Sequence, residues 1–157
     1  MERSTAQGQS QGQPQGKQSV DFTRHYPVAP EKVWRAWTDP QALAQWFGPE
    51  EESKVTIADM DVRVGGRYHI QFGVPGQETH DVEGNYLEVE PHRKLVFDWG
   101  WKSTPERISL VTITLKPSGS GTELVFKHER FYDQAARDSH NEGWGGAFRK
   151  LDKLFVA

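Results

Sequence analysis

The sequence predicts an α+β fold in which a curved, seven-stranded antiparallel sheet wraps around one long C-terminal helix. Three observations predict it. Apolar residues recur at helical spacing in two regions, just after Pro30 and from Trp144 onward. Between Ser53 and Arg130 the period is two, in short runs separated by tight turns, which is the pattern of an antiparallel meander and not of βαβ units. Seven strands at about 4.8 Å spacing span about 34 Å, whereas one helix is about 10 Å across, so the sheet must curl to cover its apolar face.

The elements follow in order. Residues 1–18 are Gln, Gly and Ser with almost nothing apolar, and such a stretch cannot offset its backbone entropy by burial. It reads as a disordered tail, with a single domain over 19–157. Val20–Val28 reads as a strand with Val20, Phe22 and Arg24 on one side. Pro30 suits a first helical position, and Val33, Trp34 and Trp37 follow at helical spacing. Thr38-Asp39-Pro40 stops that helix and starts another, with Asp39 as N-cap. Leu43, Trp46 and Phe47 give the second helix its stripe, and Gly48-Pro49 ends it.

Lys54–Met60 alternates weakly, and Gly65-Gly66 makes a turn before Arg67–Phe72, where Tyr68, Ile70 and Phe72 share a face. Thr79–Glu90 reads as a long strand with a bulge at Gly84. Leu95, Phe97, Trp99 and Trp101 alternate in the next strand. Ile108–Leu115 precedes a loop over Lys116–Gly121, and Thr122–Glu129 places Leu124, Phe126 and His128 on one face. After Asp133, Trp144, Ala147, Phe148, Leu151, Leu154 and Phe155 form one helical stripe opposite Arg149, Lys150, Asp152 and Lys153.

Composition narrows the function. The chain has 157 residues and no cysteine, which removes disulfides, thiolate nucleophiles and sulfur-based metal sites. Its 22 acidic residues outnumber its 19 basic ones without any Lys/Arg block, so nucleic acid is not an expected partner. The opening MERSTAQGQS has no apolar run, so no leader or membrane span is expected and a cytoplasmic location is the default.

A sheet curled around a helix leaves room for an apolar cavity between them. The residues expected around it are Trp46, Tyr68, Ile70, Phe72, Tyr86, Phe97, Trp99, Phe126 and His128, facing Trp144, Ala147, Phe148 and Leu151 on the last helix. Two readings are open for these positions: a ligand cavity, or an interior filled at ordinary density.

Candidate chemistry is sparse. Six histidines (His25, His69, His80, His92, His128, His140) show no HxH, HxxxH or HExxH spacing, so no metal is expected. His128 reads either as a rim residue satisfied by water or backbone, or as a cavity residue bonded to Tyr68 or Tyr86. His140 lies one turn before Trp144 and can look into the cavity's mouth. No G-x-S-x-G stretch is present, and Gly65-Gly66 precedes a strand instead of opening a helix, so neither a nucleophile elbow nor a phosphate loop is expected. No catalytic residue and no cofactor are assigned.

Five stretches occur together: Trp46-Phe47-Gly48-Pro49, Asp61 to Tyr68 (DVRVGGRY), Gly84 to Pro91 (GNYLEVEP), Gly121-Thr122-Glu123-Leu124 and Glu142-Gly143-Trp144. In this order they resemble the START-like domain of homologues of the activator of the heat-shock-protein-90 ATPase, within the birch-pollen-allergen-like (SRPBCC) superfamily. The resemblance spans about residues 20–156. It implies a helix-grip fold, β-α-α-β6-α, and a superfamily that holds binding proteins, transfer proteins and a few enzymes. The expected function is binding of a small hydrophobic ligand (lipid, polyketide or aromatic metabolite) between sheet and C-terminal helix. The alternatives are a cyclase- or hydratase-type enzyme, using His128 with Tyr68 or Tyr86 to move a proton, and a stress-related, co-chaperone-like interaction module whose protein partner the residues do not identify.

Overall fold

The computed structural model describes residues 18–155. The expected tail lies outside the described residues except for Gln18. The described chain runs β1 (Val20–Tyr26), α1 (Pro30–Thr38), α2 (Pro40–Leu43), β2 (Lys54–Met60), β3 (Arg67–Gly73), β4 (Thr79–Glu90), β5 (Lys94–Trp101), β6 (Ser109–Ser118), β7 (Gly121–Glu129) and α3 (Gln134–Leu154). The strands form one antiparallel sheet in the order β1-β7-β6-β5-β4-β3-β2. This is the helix-grip arrangement the sequence predicts. Among the described residues no helix is long and apolar enough to cross a membrane.

The helices start where their chemistry requires. Pro30 and Pro40 occupy first helical positions, and Asp39 accepts the Ala42 N–H at 2.9 Å. Asp133 caps α3 through the Ala136 N–H at 2.8 Å. Regular helix in α2 stops at Leu43, but Trp46 and Phe47 both donate their N–H groups to the Leu43 carbonyl, so the expected stripe is kept by a turn.

Three local expectations are corrected. The bulge is at Leu87, where the register moves from Tyr86↔Phe97 to Glu88↔Val96. Gly84 instead permits a close approach: a Cβ there would overlap the Asp98 carbonyl oxygen and the Tyr68 ring. The loop at Lys116–Gly121 shrinks to a two-residue hairpin turn, because Ser118 pairs with Gly121 and Gly119 takes φ +59°. Pro117 is tolerated in β6 because the β5 ladder ends at Thr114, and its nitrogen faces that free side, as the Leu115 N–H does toward Arg93. Lys150 is not on a solvated face. It is buried, with Nζ 2.6 Å from the Glu50 carbonyl and 3.4 Å from that of Phe47.

The concave face of the sheet packs against α3 and α1 through aromatic rings. Phe22 stacks on Phe148 at 4.7 Å, Trp144 meets Phe126 at 4.6 Å, and Trp37 stacks on Phe126 at 5.9 Å. At its far end α3 is tied to β1, where Asp152 accepts from the Tyr26 hydroxyl at 2.7 Å and pairs with Arg24 at 3.1 Å. Burial, then the Asp152 carboxylate, pushes the Tyr26 phenol well above its usual range.

Nearer its middle, α3 lies directly on backbone. A Cβ at Gly146 would overlap the Pro49 carbonyl oxygen, whereas one at Gly145 would meet nothing. Gly145→Ala is therefore expected to stabilise the protein by about 0.5–1 kcal/mol. Gly146→Ala is expected to destabilise it by about 1–3 kcal/mol, since neither helix nor loop backbone can yield cheaply. Urea denaturation of the two variants checks the opposite signs.

Candidate functional site

The seat of α3 on Pro49 builds one wall of a cleft of about 430 Å³. Phe47, Gly48 and Pro49 contribute that wall, and Gly143, Trp144 and Ala147 contribute the helix side. The sheet supplies Phe72 from β3 and Trp99 and Trp101 from β5. A polar rim closes one end: Thr79, His80, Lys102 and Ser103 from the strand ends, with Ser139 and His140 from the first turns of α3. The floor is aromatic and the rim is wet, which suits a flat apolar body with a polar edge.

Deeper inside, the interior is almost filled. A void of only about 20 Å³ lies among Tyr68, Ile70, Tyr86, Phe97, Trp37 and the three rings it shares with the cleft: Phe47, Trp99 and Trp144. Of the residues expected around a cavity, Phe72, Trp99, Trp144 and Ala147 line the cleft, and Tyr68, Ile70, Tyr86 and Phe97 line the void. Trp46, Phe126, His128, Phe148 and Leu151 border neither space and are packed in the core.

Several cleft residues escaped the sequence reading. Trp101 alternates with Trp99, and His80 with Val82, so period two carried a signal for both. Lys102, Ser103 and Ser139 lie outside any apolar pattern. Gly48 and Pro49 read as helix terminators, with no sign that their backbone is a wall.

The two inner histidines are held by indoles. Trp144 Nε1–H donates to His128 Nδ1 at 3.0 Å, which leaves His128 Nε2–H to donate to Ser109 Oγ at 2.7 Å. Ser109 in turn donates to the Trp99 carbonyl at 3.4 Å. His128 thus takes neither Tyr68 nor Tyr86 as partner; the Tyr68 hydroxyl donates to the Asp98 carbonyl at 2.7 Å. Nor is His128 a rim residue, since it is fully buried. Trp101 Nε1–H donates to His140 Nε2 at 3.1 Å, and His140 Nδ1–H donates to the Ala136 carbonyl at 2.7 Å.

Indole only donates, so each ring has one acceptor nitrogen already occupied and one N–H already used. Both imidazoles are neutral in this bonding. Burial, then the neighbouring His140, holds His128 well below its usual range; burial also lowers His140, against the opposing Ala136 bond. Ser109 and His128 resemble a nucleophile–base pair only in spacing. The proton lies on the nitrogen that faces the hydroxyl, so this histidine cannot accept the serine's proton. Among the described residues no three His, Asp or Glu side chains are grouped to hold a metal ion.

On the outer face, His69 Nε2 lies 2.7 Å from the Asp81 carboxylate, and Gln71 donates to it at 3.1 Å. The His69 bond lowers the Asp81 carboxyl below its ordinary value.

The family model described as Activator of Hsp90 ATPase homolog 1-like protein matches residues 27–156. Among solved structures the chain is similar to a protein from Chromobacterium violaceum, with 28% identity, 87% of this chain and 96% of that one covered, and a TM-score of 0.78. It is similar to the AHSA1 protein of Silicibacter pomeroyi, with 26% identity, coverage of 87% and 96%, and a TM-score of 0.77. A protein from Mesorhizobium loti shares 30% identity over 87% and 96%, with a TM-score of 0.69. No curated protein matches the sequence.

The histidine bonding has a pH consequence. His128 is a base whose folded pKa is lowered from 6.5, so below pH 6.5 the unfolded chain binds a proton that the native state refuses. Stability is complete above that value and falls with pH, approaching about 1.4 kcal/mol per pH unit from this residue. His128→Leu is expected to remove that slope. It should also lower stability at pH 7 by about 1–3 kcal/mol, because the Trp144 N–H loses its acceptor. Urea denaturation at pH 5, 6 and 7 reads both effects, and a slope unchanged in the variant counts against the assignment.

Proposed function

The chain belongs to the Activator of Hsp90 ATPase homolog 1-like family, and on that premise we propose that it binds a small apolar ring compound in the cleft beside α3. The observation that carries this reading is the 430 Å³ cleft floored by Phe47, Phe72, Trp99, Trp101 and Trp144. Its volume falls in the range of small-molecule sites, and its walls are rings that stack on planar ligands. The interior void holds no acyl chain, so an aromatic or polycyclic molecule fits better than an extended lipid. The resemblance to a superfamily of binding and transfer proteins supports the same direction.

Proton transfer through His128, the enzyme alternative the sequence raises, is disfavoured by its bonding. His128 and His140, the two inner imidazoles, have their lone pairs committed to Trp144 and Trp101. A general base needs a free lone pair within reach of substrate.

Titration with an apolar fluorescent probe tests the reading. One probe is expected to bind per chain and to quench tryptophan emission, since three tryptophans line the cleft. Gly143→Phe is expected to weaken binding tenfold or more, as a rough magnitude for loss of an apolar contact site. A Cβ at Gly143 meets only the Pro49 side chain, at 3.8 Å, so this substitution fills the cleft without forcing the helix away. Non-saturable uptake, or affinity indifferent to Gly143→Phe, overturns the proposal.

A further inference from the structure

The void behind the cleft has a chemical character that its size alone does not convey. At about 20 Å³ it holds one oxygen-sized group. Three tryptophans line it. Trp144 gives its N–H to His128. Trp37 and Trp99 are 3% and 4% exposed, and their indole N–H groups have no hydrogen-bond partner among the described residues. Elsewhere in the core, Trp46 donates to the Ala36 carbonyl at 3.0 Å and Trp101 donates to His140. The two unpaired indoles are therefore both found on the same small space. A buried donor left unmade carries its full desolvation cost, so this is where a polar atom gains most.

The complement of two donors is a group that only accepts. A carbonyl oxygen has two lone pairs, one for each indole, and brings no donor of its own. The way in is short. Phe47, Trp99 and Trp144 form the wall common to cleft and void, with ring centroids 5.2 to 6.2 Å apart in tilted or edge-on contact. These three side chains separate the two spaces, so entry to the void requires one of the rings to turn aside. Resting on the binding reading above, we infer that the void receives the carbonyl oxygen of a molecule whose ring body lies in the cleft, bonded by the Trp99 and Trp37 N–H groups. The ligand class is then flat ketones, quinones and lactones, in preference to ring hydrocarbons of the same shape.

Paired probes test this on the full chain: 9-fluorenone and fluorene share one tricyclic skeleton and differ at the carbonyl. Fluorenone is expected to bind about fivefold or more tightly than fluorene. Trp99→Phe, which removes the N–H and keeps a ring, is expected to bring the ratio close to one, and Trp37→Phe to reduce it. The infrared carbonyl stretch of bound fluorenone is expected to lie below its value in hexane, and to return toward it in Trp99→Phe. The wild-type spectrum decides the matter even where a variant fails to fold. Equal affinities with an unshifted carbonyl overturn the inference while leaving the binding reading intact. A shift that persists in both variants also overturns it, because the donor is then another group. If neither probe binds the wild-type chain, the binding reading itself falls.

Discussion

The direct contact of α3 with the backbone at Pro49 is the constraint on which the site depends. With no Cβ at Gly146, the helix settles onto the Pro49 carbonyl, and Lys150 fastens the same loop by its bonds to the Glu50 and Phe47 carbonyls. That seat carries Phe47 inward against Phe72 and Trp144, at centroid distances of 5.1 and 6.1 Å. A helix held off by one side-chain layer would leave those rings apart, and cleft and void would merge. The separation of the cleft from the smaller inner space thus relies on the close approach that Gly146 permits. Burial and the charges nearby act oppositely on Lys150: desolvation lowers its pKa, and Glu51, Glu50 and Glu52 raise it.

Polar groups around the site are organised as short chains that end on backbone. One runs from Trp144 through His128 and Ser109 to the Trp99 carbonyl, and the other from Trp101 through His140 to the Ala136 carbonyl. In each, an indole fixes the imidazole tautomer, and the imidazole fixes the indole's tilt. Trp144 and Trp101, two of the rings that shape the cleft, are therefore held by directional bonds as well as by packing. Removal of either histidine would loosen a wall and strand a donor together.

The architecture was legible because its periodicities are strong. The switch from helical spacing to alternation and back located all ten elements, and the narrowness of one helix required the sheet to curl. Boundaries that depend on pairing were not legible. The bulge at Leu87 and the short turn at Gly119 arise from register with β5 and β7, which no local run of residues encodes. For the site, alternation placed Tyr68, Ile70, Phe72, Tyr86, Phe97 and Trp99 on one face, but a face does not say which side chains fill space and which border it. Phe126, Phe148 and Leu151 are as apolar as Phe72, and only three-dimensional packing separates them. Lys150 escaped because its charge argues for solvent, while backbone carbonyls from a distant loop satisfy it within the protein.

The aromatic wall also has an optical consequence. Trp99 lies 5.4 Å from Trp101 at 85° and 5.2 Å from Trp144 at 51°, and Trp37 lies 4.6 Å from Trp46 at 60°. Chromophores this close and this inclined share their excitations, and the coupled transitions add paired bands of opposite sign to the far-ultraviolet dichroism. Helix content read from that spectrum would be distorted by a contribution that belongs to the indoles. The same bands report the mutual tilt of the cleft's rings, so the protein carries its own gauge of whether the wall between cleft and void is closed.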